Sequence, residues 1–244
     1  ISVISDISSL KEAQSRLDYL AHHDMLTNLP NRLLFRDRLR HAIEHARRDN
    51  HQVALLFVDL DHFKTINDSL GHHVGDQLLI EASKRLRALV RRTDTVARLG
   101  GDEFVVLMER VASSYDTAQL AAKIVEDFRL PFLVKDATLH VGCSVGVAVY
   151  PEDGADDASL LRNADVAMYK AKEAGRQTHV RYNSELSAAT HRKLVLDSAL
   201  RAAVSQGGFE LHFQPIVDSQ RQAVVAAEAL LRWPGGPEGA RLPE

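Results

Sequence analysis

Apolar and polar positions alternate with different periods along the chain, and each change of period predicts an element. From Gln52 to Val58 the residues are almost all apolar over a strand's length, which predicts a strand buried on both faces. From about Leu33 to Arg48 the apolar positions recur at helical spacing, after a loop rich in turn formers, Asp24-Met-Leu-Thr-Asn-Leu-Pro-Asn-Arg32. Asn67 to Gly75 is polar and punctuated by glycine, and Asp76 precedes a helix carried by Leu79, Leu86, Leu89 and Val90. Thr95–Leu99 and Phe104–Met108 flank Gly100-Gly101, which predicts a hairpin with the glycines in its turn. Ala118–Phe128 is a helix stopping near Pro131, Leu139–Tyr150 is valine-rich and strand-like, and Asp157–Ala174 is helical again. Beyond Ser184 a second unit begins, with a helix near His191–Val204 and strands at Phe209–Val217 and Val224–Leu231. Strands and helices mixed in this order predict an α/β or α+β sandwich rather than a bundle or a barrel.

The first residues read differently. Ile1-Ser-Val-Ile-Ser-Asp-Ile7 alternates like a strand and looks like a cut edge. Ser8 or Ser9 then caps a helix whose Leu10, Ala13, Leu17 and Leu20 form a seam, suited equally to pairing two chains or to packing in one.

Composition narrows the function classes. With 244 residues, 45% of them apolar, the chain can bury a substantial core, and a formal charge of -3 lacks the basic excess of a nucleic-acid polymer binder. Cys143 is the single cysteine, so neither an internal disulfide nor a thiolate zinc cluster is available, as expected of a cytoplasmic chain. Its expected role is that of a small buried hydrophobe in a strand. No apolar run approaches the ~20 residues of a membrane span, so no membrane contact is expected of this segment.

Chemistry concentrates in a few acidic turns. Asp59 and Asp61 follow the apolar strand, and Asp102-Glu103 lie in the hairpin turn, so neighbouring strands would bring both pairs to one end of a sheet. Carboxylates without thiolate or imidazole partners suit a hard cation such as magnesium together with substrate phosphates. Taken alone they are more often a pair of solvated turns. Gly100 and Gly101 add room for close backbone approach, with amides that can meet phosphate oxygens. Lys64 follows Asp59 by five residues, and Lys172 and Arg176 sit four apart at a helix end, on one face if the helix persists. Asn67 and Asp76 offer the acceptors and donors that a guanine edge needs, though helix caps use the same residue types. The residues alone therefore indicate a site for magnesium and a nucleotide.

Four segments taken together, Asp59-Leu-Asp-His-Phe-Lys-Thr-Ile-Asn-Asp68, Gly71-His-His-Val-Gly-Asp76, Arg98-Leu-Gly-Gly-Asp-Glu-Phe104 and Ala164-Asp-Val-Ala-Met-Tyr-Lys-Ala-Lys172, strongly resemble the GGDEF family of diguanylate cyclases. Asp24–Arg32 looks like the same family's N-terminal motif, and the resemblance covers about Leu17 to Tyr182. It implies a nucleotidyl-cyclase-like fold with a central, mainly antiparallel sheet flanked by helices. It further implies condensation of two GTP into cyclic di-GMP, with pyrophosphate released. Asp59, the Leu60 carbonyl, Asp102 and Glu103 would hold Mg2+ or Mn2+, and Asp102 and Glu103 would be catalytic, Asp102 helping to activate the attacking 3′-hydroxyl. Asn67 and Asp76 would hold guanine, Lys64, Lys172 and Arg176 phosphates, and His72 would lie beside the substrate. One domain binding one GTP makes a homodimer necessary for turnover. Arg91-Arg-Thr-Asp94 resembles the family's inhibitory site, where cyclic di-GMP would bind between Arg91 and Asp94.

Both ends resemble further modules. Ile1–Leu10 is similar to the end of a PAS sensor domain, and Phe213-Gln-Pro-Ile-Val217 with Glu228-Ala-Leu-Leu-Arg-Trp233 to the opening of an EAL phosphodiesterase domain. The expected division is a sensor end and linker over 1–17, a GGDEF domain over 18–184 and a truncated EAL portion over 185–244, inactive for want of its remaining ligands. Two other readings use the same residues: a catalytically silent GTP-binding module that regulates a phosphodiesterase, or a cyclic di-GMP receptor.

Overall fold

A computed structural model describes residues 16–236 apart from 18, 112, 136, 185–195 and 197. Ile1–Ile7, Leu10 and Ala13 lie outside the described residues, and of the N-terminal seam Leu17 and Leu20 are exposed. The chain divides into two compact units, residues 1–186 and 187–244.

In the first unit the elements run α1 (Arg32–Asp49), β1 (Gln52–Leu60), α2 (Phe63–Leu70), α3 (His72–Leu89), β2 (Thr95–Gly100) and β3 (Glu103–Val111). They continue with α4 (Ser114–Arg129), β4 (Phe132–Val134), β5 (Ala137–Leu139), β6 (Cys143–Tyr150), α5 (Asp157–Glu173) and β7 (His179–Arg181). Side-chain caps set two helix starts. Asn31 accepts from the amides of Leu33 and Leu34 ahead of α1, and Asp156 forms a capping box with Ser159 ahead of α5.

The sheet has the strand order β2-β3-β1-β6-β7, antiparallel throughout except between β6 and β7. The unbroken apolar run of β1 follows from its place at the centre, since both of its faces are covered. Ala54, Leu56, Val58 and Leu60 pack with Leu78, Leu79 and Leu86 of α3 and Ile124 and Phe128 of α4. Val53, Leu55 and Phe57 point the other way, to Phe35, Leu39 and Ile43 of α1 and Leu160, Ala164 and Met168 of α5. Period-two alternation then puts Asp59 on the α5 face. Cys143 is fully buried in β6, as a small hydrophobe.

Several expectations are corrected. The polar segment from Asn67 to Gly75 is two helices, α2 and α3, hinged at Gly71 with φ 86°. Its exposed outer faces carry polar residues because solvent covers them, and Phe63 and Leu78 bury the inner faces. The valine-rich stretch from Leu139 breaks at His140–Gly142, so β5 and β6 belong to different sheets. In the hairpin, Gly100 pairs with Glu103 and the turn is Gly101-Asp102, one residue later than predicted, because an irregularity between Arg98 and Gly100 shifts the register.

In the second unit residues 198–206 are helical, and β8 (Glu210–Asp218) pairs antiparallel with β9 (Ala223–Arg232). Leu211, Phe213, Ile216, Val224 and Leu231 are exposed there.

Candidate functional site

The end of β1 assembles the acidic groups. Register pairs Asp59 with Glu103 across β1 and β3, and the Gly101-Asp102 turn closes the same end, so the two acidic turns are neighbours as their order suggested. Burial pushes the Asp59 carboxyl up to about 6, Asp102 and Asp61 add to the rise, and Lys172 opposes it. Lys172 Nζ lies 2.8 Å from Asp59 Oδ1. Burial likewise raises the Glu103 carboxyl against the pull of Arg32, whose Nη2 is 3.6 Å from Oε2, while Asp165 and Asp102 raise it further. Desolvated like charges in one corner favour a cation there.

The donor chemistry fits a hard divalent ion: carboxylates on two adjacent strands with the Leu60 carbonyl next in chain, while the thiol of Cys143 is buried and kept protonated by that burial. Among the described residues no three carboxylate, imidazole or thiol groups already form a metal cage.

A guanidinium braces the turn. Arg98 donates from Nε at 2.9 Å and from Nη2 at 2.7 Å to the Gly101 carbonyl. Its Nη1 donates at 3.0 Å to each oxygen of Asp24. Arg98 therefore links the N-terminal loop to the hairpin tip. Gly101 has φ 52°, and a Cβ there would meet nothing within 4 Å, so conformation rather than crowding favours glycine.

The other candidates are placed unevenly. Lys64 is exposed on α2, and His72 and Asp76 are exposed on the first turns of α3. Asn67 reaches across to α3, where a Cβ on Gly75 would lie 1.9 Å from its Oδ1, and that buried oxygen has no hydrogen-bond partner among the described residues. Lys172 and Arg176 do not share a helix face: α5 ends at Glu173 and Arg176 lies beyond it with φ 64°. Asp61 is not free to join Asp59. It is 4% exposed, and its oxygens accept from Ser144 Oγ at 2.7 Å and the Gln177 amide at 3.0 Å.

Arg91 and Asp94 form a closed turn after α3, in which the Arg91 amide donates to Asp94 Oδ2 at 3.1 Å. They border a cavity of about 230 Å³ with Gln119 and Lys123 of α4 opposite. Lys123 of α4 brings a further cation to the cavity that Arg91 and Asp94 border. Arg32, Arg98 and Asp165 were likewise given no role, although all three stand within the motif segments, and only folding shows what they touch.

The chain matches two families: "Diguanylate cyclase, GGDEF domain" over residues 21–178 and "EAL domain" over residues 197–244. The chain belongs to the GGDEF family. The start of an EAL domain follows it. Among relatives, the bifunctional diguanylate cyclase/cyclic di-GMP phosphodiesterase MucR of Pseudomonas aeruginosa is 46% identical over 93% of this chain and 33% of its own. The cyclic di-GMP phosphodiesterase PdeR of Escherichia coli is 40% identical over 98% of this chain and 35% of its own. The chain thus spans about a third of the length of these relatives. The solved structure of the GGDEF domain alone of TpbB (YfiN) from P. aeruginosa superposes with a TM-score of 0.68 at 41% identity, covering 70% of this chain and 99% of that one. The coiled coil and GGDEF domain of DgcB from Caulobacter crescentus, solved with c-di-GMP, gives 0.66 at 27% identity, covering 72% and 93%. The nucleotidyl-cyclase-like architecture expected of the GGDEF motifs is the one observed, and no helix among the described residues is long and apolar enough to cross a membrane.

Proposed function

We propose that residues 18–184 are a diguanylate cyclase that condenses two GTP into cyclic di-GMP, and that 185–244 are the opening of an EAL domain inactive by itself, both forming a cytoplasmic portion of a longer protein. The observation that carries this is the pairing of Asp59 with Glu103 beside Asp102, with Lys172 across from them. It concentrates acidic oxygens and a cation where a triphosphate with its metal must bind. Magnesium or manganese, held by Asp59, the Leu60 carbonyl, Asp102 and Glu103, would supply charge neutralisation on the phosphates.

The chain's own residues do the rest. Lys64, Lys172 and Arg176 bind phosphate oxygens, and the Gly100-Gly101 backbone allows the triphosphate close approach. Asp76 accepts from the N–H donors of guanine and Asn67, whose buried oxygen lacks a partner among the described residues, offers its amide as donor and acceptor, with His72 alongside. Asp102 takes up the proton of the 3′-hydroxyl of one GTP as it attacks the α-phosphorus of the other and pyrophosphate leaves. Two domains, each presenting one GTP, must face each other, and the reaction repeats to close the ring. Cyclic di-GMP binding at Arg91 and Asp94 provides feedback inhibition.

Incubation of the purified chain with GTP and magnesium, followed by chromatography, tests this beside the variant Asp102→Asn/Glu103→Gln. Cyclic di-GMP should appear only with the unmodified chain, and the variant should still bind product at Arg91 and Asp94. GTP binding without product at high protein concentration points instead to the regulatory reading, which the relation to a phosphodiesterase, PdeR, favours. Product binding with neither GTP binding nor turnover points to a receptor.

A further inference from the structure

The two carboxylates that leave β1 go to different tasks. Asp59 meets Lys172, whereas Asp61 turns inward and spends both oxygens on Ser144 and on the backbone amide of Gln177, 116 residues further along the chain. Its own amide donates to the Gly142 carbonyl at 2.9 Å. A loop after α5 is therefore tied to the turn that follows β1.

That loop needs ties. Gly175, Arg176 and Gln177 have φ values of 112°, 64° and 47° in succession, and two of them carry a Cβ in the left-handed region. The Arg176 amide donates to the Ala171 carbonyl at 3.1 Å, and Arg129 Nη2 donates to the Gln177 carbonyl at 3.2 Å. Of these anchors only Asp61 belongs to the β1 end of the sheet. Gly142 leaves room for the loop to seat: a Cβ there would lie 2.4 Å from Gln177 Cγ and 3.2 Å from Asp61 Oδ2.

We infer that Asp61 is a positioning residue that fixes Arg176 for the phosphates of GTP, acting through the Gln177 amide; this rests on the nucleotide reading of the site. Lys172 is held at one end of the segment by Asp59 and Gln177 at the other by Asp61, so the exit of β1 sets the path of the chain on both sides of Arg176. With its oxygens engaged, Asp61 itself touches no substrate.

The role predicts which substitutions matter. Asp61→Ala removes both bonds. Asp61→Asn keeps them, since its carbonyl can accept from the Gln177 amide while its NH₂ donates to Ser144 Oγ. With the full chain, magnesium and a fluorescent N-methylanthraniloyl GTP, Asp61→Ala should raise Kd about tenfold and Asp61→Asn should restore binding to within about twofold of wild type. Asp61→Ala combined with Arg176→Ala should bind no more weakly than Arg176→Ala alone, since both remove the same phosphate contact. Should Asp61→Ala not fold, slow exchange of the Gln177 amide in the wild-type chain, followed by NMR, and wild-type-like binding by Asp61→Asn remain as the expected results. A fast-exchanging Gln177 amide, unchanged binding by Asp61→Ala, a tenfold loss in Asp61→Asn, or multiplying effects of the Asp61 and Arg176 variants would overturn the role while the nucleotide site stands. A wild-type chain that binds no GTP overturns the nucleotide reading, and the positioning role with it.

Discussion

The link from Asp24 through Arg98 to Gly101 ties the start of the domain to its acidic turn, and its weight can be worked out in advance. Asp24→Asn removes the charge facing Arg98 but keeps an oxygen for the Thr27 amide and hydroxyl, which bond Asp24 Oδ1 at 2.9 and 2.6 Å. The side chains of Arg98 and Asp24 are 11% and 23% exposed. Breaking a fully buried pair costs ~3–5 kcal/mol and an exposed pair contributes about 0–1, so a largely buried pair with one edge in water should cost about 2 kcal/mol. For a domain of this size that is a fall in Tm of roughly 4–8 °C. The pH dependence is distinctive. Burial alone would raise the Asp24 carboxyl, but hydrogen bonds from Thr27 and Arg98 and the Arg98 charge outweigh it, so the carboxyl lies below its ordinary 3.8. A depressed carboxylate stabilises the fold fully above its ordinary value and loses that contribution as pH falls through the folded value. The wild type and Asp24→Asn should therefore differ by the full amount at pH 7 in urea denaturation and converge below about pH 3.8. A difference under about 0.5 kcal/mol at pH 7, or one that persists unchanged at pH 3, refutes the reasoning, as does additivity with Arg98→Met.

Other features give shorter tests. Gly146 of β6 faces α5, where a Cβ would lie 2.1 Å from both the Ala164 carbonyl oxygen and the Met168 amide nitrogen; backbone cannot yield as a side chain can, so Gly146→Ala should destabilise by about 3 kcal/mol in thermal melts. Lys123→Glu places a like charge against the phosphates of cyclic di-GMP at the Arg91 cavity, and should weaken product binding at least tenfold by calorimetry without changing the initial rate of GTP turnover.

Much of the domain is readable from the chain because its signals are local. The apolar run of β1, the glycine turn between β2 and β3 and the helical periods of α1, α4 and α5 each follow from which residues neighbour one another in sequence, and the acidic motifs are contiguous strings. Periodicity does not announce α2 because eight residues with one buried aromatic, Phe63, give too few turns to register as a helix.

What neighbours in sequence cannot express is which distant groups meet. Asp59 and Asp61 are indistinguishable by composition, yet one lies on the α5 face beside Lys172 and the other is consumed by Ser144 and Gln177. Lys172 and Arg176 satisfy a helical spacing, but α5 ends between them and puts Arg176 on a separately tied loop. Arg98 becomes a brace only once Asp24 is folded onto the hairpin, and Lys123 joins Arg91 only once α4 packs beside α3. Strand order, burial and desolvation are properties of the assembled sheet, so the chain announces which acidic groups it carries while the packing decides which of them meets a cation and which is consumed by hydroxyl and backbone donors.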